Sequence, residues 1–227
     1  MCGRYSLTSP LDALQAPFSF DELPNLRPRY NIAPTQEVPV VRTRQDGGRE
    51  FVAMRWGLVP SWARQIGGGP PLINARAETL AEKPSFRNAF ARRRCLVAAD
   101  SFYEWKTAGT GPKQPYRIAL PGDAPFAFAG IWERWDGGAG GALESFAIVT
   151  TEAAPAIADI HHRMPVILPP ESYGGWLAGP DAGLLAPYAG ELHAYPIGTA
   201  VNKVANDDAS LWQVDEPRNE AEQLDLL

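Results

Sequence analysis

Short apolar or alternating segments, each bounded by turn-forming residues, recur along most of the chain. Alternation of apolar and polar positions predicts strands with one buried face, and continuous apolar runs predict strands buried on both faces. The predicted strands are 37–44, 49–56, 94–99, 101–106, 115–120, 125–131, 144–150 and 164–168. Clusters rich in Gly and Pro at 46–48, 67–71, 109–112 and 137–141 separate several of them. These residues favour turns, so the boundaries agree with the strand pattern.

Helical patterns are fewer. The sequence predicts helices over 10–16, 84–92, 152–160 and 170–178, with Pro84 suited to a first helical turn. Many short strands and few helices indicate an α+β fold, with a curved antiparallel sheet or open β-barrel-like core and a few flanking helices. No long linker divides the chain, so we expect a single domain over 1–215 and a flexible polar tail over 216–227.

Composition narrows the functional classes. The chain has 227 residues, of which 45% are hydrophobic and 21% charged, as in ordinary globular proteins. It contains no apolar run of about 18 residues and no secretory signal, so we expect a cytoplasmic protein without membrane contact. Two cysteines, Cys2 and Cys95, make no disulfide framework. The net charge of −5 argues against a broad electrostatic grip on duplex DNA.

Cys2 has unusual chemistry if Met1 is removed, because it then carries a thiol and a free α-amine on neighbouring carbons. The amine of such a 1,2-aminothiol condenses with an aldehyde to an imine, and the thiol then closes a thiazolidine ring. Ordinary pKa values of about 8 and 8.5 leave some neutral amine and a few per cent of thiolate at pH 7. The alternative is that Cys2 is a small buried residue of a first strand.

Polar residues of catalytic type also lie in the segments 73–79, 102–106 and 160–165. Each has a structural alternative. Asn74 either serves a site or caps a helical turn over 75–81. Glu104 either faces inward, where it needs a partner, or faces solvent.

Adjacent histidines, His161 and His162, point to different faces of any regular element, so at most one is expected in a site. Arg76 and Arg163 are candidates for phosphate binding or for ordinary ion pairs. The metal-binding and nucleotide-binding motifs are absent from the sequence, and we therefore expect neither a metal ion nor an organic cofactor.

Several motifs occur in a fixed order along the chain: Cys2-Gly3-Arg4-Tyr5, Tyr30-Asn31-Ile32-Ala33-Pro34, Trp56-Gly57-Leu58-Val59-Pro60, Asn74-Ala75-Arg76-Ala77-Glu78-Thr79, Phe102-Tyr103-Glu104-Trp105 and His161-His162-Arg163-Met164-Pro165. Together they resemble the SOS response-associated peptidase family of abasic-site-processing proteins, over residues 2 to about 206. The resemblance implies an abasic-site sensor. Its N-terminal cysteine forms a thiazolidine with the ring-opened sugar in single-stranded DNA, which shields the lesion during repair.

The resemblance also implies roles for individual residues. Cys2 would be the nucleophile, Asn74 would orient its amine and the sugar, and Glu104 and His161 would be the acid and base. His161 is preferred over His162 because the catalytic histidine of the family lies two places before the Arg of Arg-Met-Pro. The implied DNA contacts are Arg76 and Arg163 on phosphates flanking the lesion, Arg4 and Thr150 near the backbone, and Trp62 and Pro34 near the bases.

Two other functional classes remain open from the residues alone. Cys2 could be the N-terminal nucleophile of a self-processing or true cysteine peptidase that uses its own α-amine as base. In the abasic-site interpretation, any peptidase activity is limited to removal of Met1. The chain could also bind single-stranded DNA without covalent chemistry, through stacking aromatics and arginines. As partners we expect single-stranded DNA containing abasic sites, with replication or repair proteins as further candidates, and we expect a monomer.

Overall fold

The computed structural model describes residues 2–20, 26–107, 111–137 and 141–215. The predicted tail over 216–227 and parts of the glycine-rich turns at 109–112 and 137–141 lie outside the described residues. The helices are α1 (Leu11–Phe18), α2 (Arg87–Arg92) and α3 (Tyr173–Ala178). The strands are β1 (Tyr5–Leu7), β2 (Arg29–Ile32), β3 (Glu37–Thr43), β4 (Arg49–Trp56), β5 (Asn74–Arg76), β6 (Arg94–Ala99), β7 (Ser101–Lys106), β8 (Gln114–Ala119), β9 (Phe126–Trp135), β10 (Leu143–Glu152), β11 (Arg163–Pro165), β12 (Ile167–Leu168) and β13 (His193–Pro196).

The strands form two sheets, which confirms the α+β class. One is a five-stranded antiparallel sheet in the order β13-β8-β7-β1-β2. The other runs β11-β10-β4-β3-β6-β9-β12 and closes on itself, because β10 pairs with both β4 and β9. The barrel is therefore closed rather than open. It is also mixed, since β10 is parallel to β4 and to β5.

Aromatic side chains join the sheet to the barrel. Tyr5 of β1 packs edge-on against Trp56 and Phe128 of the barrel, with ring centroids 5.2 and 5.8 Å apart. Phe102 of β7 contacts Phe128 in the same way at 6.0 Å. All six residues of β6 are buried, as its continuous apolar run predicts. The first strand is thereby held against the core, which positions the residues that precede it.

The strand predictions hold better than the helix predictions. Every predicted strand is present within a few residues, although 164–168 is divided into β11 and β12. The helix expected over 152–160 is wrong: β10 continues to Glu152, and only a 3-10 turn, Pro155–Ile157, follows. The reason is a tertiary one, because the Ala153 N–H donates to the His162 carbonyl and extends the pairing of β10 with the β11 segment.

The α-helices are short. The longest of them in the described part of the chain is α1, with eight residues. No helix there is long and apolar enough to cross a membrane.

Candidate site around the N-terminal cysteine

Strand pairing between β1 and β7 positions Cys2, three residues before β1. β1 runs antiparallel to β7 with Tyr5 opposite Phe102, and the Tyr103 N–H donates to the Arg4 carbonyl at 3.0 Å. Continuing this register brings residues 2 and 3 alongside Glu104. Cys2 is fully buried, as the structural alternative expects, but it precedes β1 rather than belonging to a strand. Its catalytic role stays a prediction.

Asn74 reaches the same point from β5. Its Nδ2 donates a hydrogen bond to the Cys2 carbonyl oxygen at 2.8 Å, while Oδ1 is buried and accepts no hydrogen bond from the described residues. Asn74 is the first residue of a strand rather than the cap of a helical turn. The structure therefore decides between the two alternatives for Asn74 in favour of contact with Cys2.

Glu104 faces inward from β7 and is only 3% exposed. Burial raises the pKa of its carboxyl, and the nearby side chains of His162 and Lys113 oppose that shift. The protonated acid is thereby favoured more than in water. A carboxyl in this state can donate a proton and later take one back.

The Cys2 thiol lies close enough to Glu104 for the charge of the carboxylate to change the thiol pKa. Burial raises the thiol pKa well above its ordinary value, and the Glu104 carboxylate raises it further. The expectation of a few per cent thiolate at pH 7 is therefore wrong for the folded chain, because a thiolate here would lose its hydration beside a negative charge. The thiol is protonated, and any reaction of its sulfur must transfer that proton to a neighbour.

His161 and His162 lie in the turn before β11. Their rings stack with centroids 4.4 Å apart and planes 24° from parallel, because the two residues lie in a turn rather than in a helix or strand. Whether only one of them serves the site stays a prediction. His161 Nδ1 lies 2.9 Å from the Arg163 backbone nitrogen and 3.0 Å from the Arg163 carbonyl oxygen, so each tautomer of the neutral ring has a partner there. Burial lowers the pKa of half-buried His161, whereas His162 is exposed.

The two arginines flanking this region differ in environment. Arg76 is exposed at the end of β5. Arg163 is 9% exposed and forms a two-point ion pair with Glu78, from Nη1 to Oε1 at 2.6 Å and from Nη2 to Oε2 at 3.1 Å. Its Nη2 also donates to the Thr150 carbonyl at 2.7 Å. Arg76 faces solvent, whereas Arg163 is engaged by the protein itself.

The other predicted DNA contacts lie in different surroundings. Arg4 is half-buried and donates from Nη1 to Asn31 Oδ1 at 2.8 Å and to the Val201 carbonyl at 2.9 Å. Thr150 is fully buried on β10. Trp62, in contrast, is 62% exposed.

Trp62 lines a groove of about 520 Å³, bounded by the 57–72 segment and by Thr35, the residue after half-buried Pro34. None of these placements tests DNA contact, which stays a prediction.

Sequence reasoning gave no role to two residues that organise this region. Glu78 belongs to the same motif as Asn74 and Arg76, and that membership is the sequence signal that it lies near the site. Asn31 belongs to the Tyr30–Pro34 motif, and its Nδ2 donates to the carbonyls of Val201, Lys203 and Asn206. These hydrogen bonds attach the segment after Asn202 to β2.

The amino-acid sequence is similar to those of known proteins over most of its length. The chain is 42% identical over 222 residues to the Bacillus subtilis abasic site processing protein YoqW, covering 93% of this chain and 98% of YoqW. It is 34% identical over 229 residues to the Pongo abelii abasic site processing protein HMCES, covering 78% of this chain and 64% of HMCES.

The fold is also similar to that of a solved structure. A crystal structure of a Bacteroides thetaiotaomicron protein superposes with a TM-score of 0.82 at 29% identity, covering 94% of this chain and all of the other. The model of the SOS response associated peptidase (SRAP) family matches residues 1–204. The chain therefore belongs to the SRAP family.

Proposed function

We propose that the protein processes abasic sites in single-stranded DNA by covalent capture through the mature N-terminal Cys2. The observation that supports this most directly is the position of buried Cys2, hydrogen-bonded through its carbonyl to Asn74 and close to the Glu104 carboxyl. Abasic site processing is the activity named for the related proteins. The proposal assigns it to this chain and adds the chemistry.

The reaction begins with removal of Met1, which creates the α-amine of Cys2. That amine attacks the aldehyde carbon of the ring-opened sugar and gives a carbinolamine. Loss of water gives a protonated imine, and addition of the thiol sulfur to the imine carbon closes the thiazolidine. Overall, one aldehyde and one aminothiol give one thiazolidine and one water. No oxidant, reductant or cofactor is required.

Glu104 serves two of these steps. Its raised pKa lets the carboxyl protonate the departing hydroxyl of the carbinolamine, which leaves as water. The resulting carboxylate then accepts the thiol proton as sulfur attacks, which is needed because the thiol is protonated in the folded chain. In the tautomer that carries its hydrogen on Nδ1, beside the Arg163 carbonyl oxygen, Nε2 of neutral His161 accepts the sugar hydroxyl proton as the ring opens.

Specificity comes from the aldehyde and the backbone, because an abasic site has no base to read. Arg76 is exposed and available for a phosphate, while exposed Trp62 offers a stacking surface for a neighbouring base. A few such contacts suffice when the lesion is captured covalently. A broad basic surface is unnecessary, which agrees with the net charge of −5.

Peptidase activity is limited, in this proposal, to the removal of Met1. A thiol hydrolase attacking other peptides needs a thiolate at neutral pH, and the raised pKa of the Cys2 thiol opposes that state. The crosslinking and lyase-type chemistry at the abasic sugar is therefore the main activity proposed.

Intact-mass analysis tests the proposal. The protein is mixed with an oligonucleotide carrying one abasic site, without a reducing agent to trap an imine. We expect a protein lacking Met1 and an adduct whose mass equals protein plus oligonucleotide minus one water. Cys2→Ala should abolish the adduct, and Cys95→Ala, at a buried barrel position, should retain it. The mechanism would be contradicted if protein that retains Met1, or the Cys2→Ala variant, formed the crosslink. Binding of the oligonucleotide without any adduct would instead favour a non-covalent single-stranded DNA binding module.

A further inference from the structure

The two terminal nitrogens of the Arg163 guanidinium both donate to acceptors within the protein. Nη1 donates to Glu78 Oε1, and Nη2 donates both to Glu78 Oε2 and to the Thr150 carbonyl. The remaining Nε is buried and has no hydrogen-bond partner among the described residues. Two hydrogens are left uncommitted, the buried one on Nε and one on Nη1, and they lie on opposite sides of the guanidinium, so Arg163 cannot offer two parallel donors to a further anion in this arrangement.

A carboxylate and a phosphate bind an arginine in the same way, through two parallel N–H···O hydrogen bonds. Glu78 therefore occupies the position that a backbone phosphate would take on the exposed side of Arg163. Hydrogen bonding from Arg163 lowers the pKa of the Glu78 carboxyl, with a smaller contribution from the charge of Arg76. Glu78 is consequently ionised at neutral pH and competes with phosphate for this position.

The two partners differ in their freedom to move. The side chain of Arg163 is 11% exposed, and its attachment to the Thr150 carbonyl holds it against β10. The side chain of Glu78 is 48% exposed, in a short 3-10 turn (Ala77–Thr79). A carboxylate with this exposure can rotate into water without being buried unpaired, so exchange of the ion pair would displace Glu78 and leave Arg163 in place.

We infer that Glu78 is a gate on Arg163, and that a single-stranded DNA phosphate must displace its carboxylate before Arg163 can bind the backbone. The inference rests on the proposed function and extends it. Its consequence is weak affinity for undamaged single strands, because each binding event must break the Glu78–Arg163 ion pair. Lesion selectivity then comes from covalent capture at Cys2 rather than from tight binding.

Non-covalent binding to an unmodified single-stranded oligonucleotide, measured at several salt concentrations, tests the gate. Glu78→Gln should tighten binding by about twofold to fivefold, the range that partly exposed ion pairs contribute. The slope of log affinity against log salt should become steeper by about 0.7, because one more phosphate contact forms on a single strand. Glu78→Asp keeps the charge but shortens the side chain, so it should also steepen the slope.

Glu82→Gln is the matched control, because Glu82 is an exposed carboxylate four residues further along the same segment. It removes the same charge without releasing Arg163, and its salt slope should stay at the wild-type value. Equal tightening by Glu78→Gln and Glu82→Gln with unchanged slopes would overturn the gate as a general charge effect. Weaker binding by Glu78→Gln would also overturn it, because Glu78 would then be positioning Arg163 for phosphate.

The failure of this inference can be told apart from failure of the proposed function. Crosslinking to an abasic oligonucleotide through Cys2 is measured on the same variants by intact mass. If Cys2-dependent crosslinking persists while Glu78→Gln gives no tighter binding, the gate is wrong and the proposed function stands. Thermal unfolding of each variant ensures that only folded protein is compared.

Discussion

Glu104→Gln is the most informative perturbation of the candidate site, because it keeps the shape of the side chain and removes its proton transfer. The proposed mechanism uses this carboxyl twice, as acid during loss of water and as base during attack by the thiol. Loss of one acid/base group typically slows a reaction by about 10²–10⁴-fold. Since one group serves two steps, we expect crosslinking to slow by about 10³-fold, or about 4 kcal/mol in activation free energy.

Although Glu104→Gln should crosslink more slowly, we expect the folded variant to be at least as stable as the wild type. Burial raises the pKa of the Glu104 carboxyl in the folded chain. Such a group favours folding below its unfolded pKa and opposes folding as the pH rises through the folded pKa. Glu104→Gln removes the free-energy cost of ionising a buried carboxyl in the folded chain. We therefore expect its melting temperature to equal or exceed that of the wild type at pH 7–8, with the difference shrinking toward pH 4.

Single-turnover crosslinking between pH 5 and 9, on an oligonucleotide with one abasic site, measures the rate, and affinity for an unmodified strand measures binding. Glu133→Gln is a matched control, because Glu133 is also a buried strand carboxyl but lies on β9 in an ion pair with Arg93 at 2.6 Å. It should lose stability and keep the wild-type crosslinking rate. A wild-type rate in Glu104→Gln would refute the assignment of Glu104 as the proton-transfer group.

Two further predictions concern the neighbours of Cys2 and Glu104. Asn74→Ala removes the 2.8 Å hydrogen bond to the Cys2 carbonyl, and we expect crosslinking about tenfold slower with Cys2 still required; an unchanged rate would show that this contact does not orient the nucleophile. His161→Ala should slow crosslinking much more than it weakens strand binding, whereas His162→Ala should have a small effect, because exposed His162 acts only through the ring stack and its charge near Glu104. A larger defect in His162→Ala than in His161→Ala, in the same single-turnover assay, would mean that the two histidines have been assigned in the wrong order.

Much of the fold could be predicted from local patterns, and the exceptions have identifiable causes. The strands β3, β4, β6 and β9 are long or strongly apolar, so their periodicity is sufficient evidence. β1, β2, β5 and β13 have three or four residues each and were not predicted. Segments this short carry too little periodicity, and they are strands only because longer neighbours supply their hydrogen-bond partners. The absent helix over 152–160 has the same cause.

The site could be predicted in part. Motif order places Cys2, Asn74, Glu104 and His161 in one functional set, and the structure brings Cys2 into contact with Asn74 and within electrostatic reach of Glu104. The state of the thiol could not be predicted in this way. A reference pKa assumes water around the sulfur, whereas the fold replaces that water with apolar side chains and a carboxyl.

The sequence by itself determined the residue types available for chemistry, the strand-rich α+β class and the membership of a family, because these follow from local pattern and from motif order. Only the tertiary structure decided which polar and charged groups contact one another. Asn74 and Cys2 are 72 positions apart, and Arg163 and Glu78 are 85 positions apart, so neither pairing has a local signal. Burial, pKa direction and the availability of Arg163 for phosphate all depend on such long-range contacts, because charges and hydrogen bonds act through distance in space rather than distance along the chain.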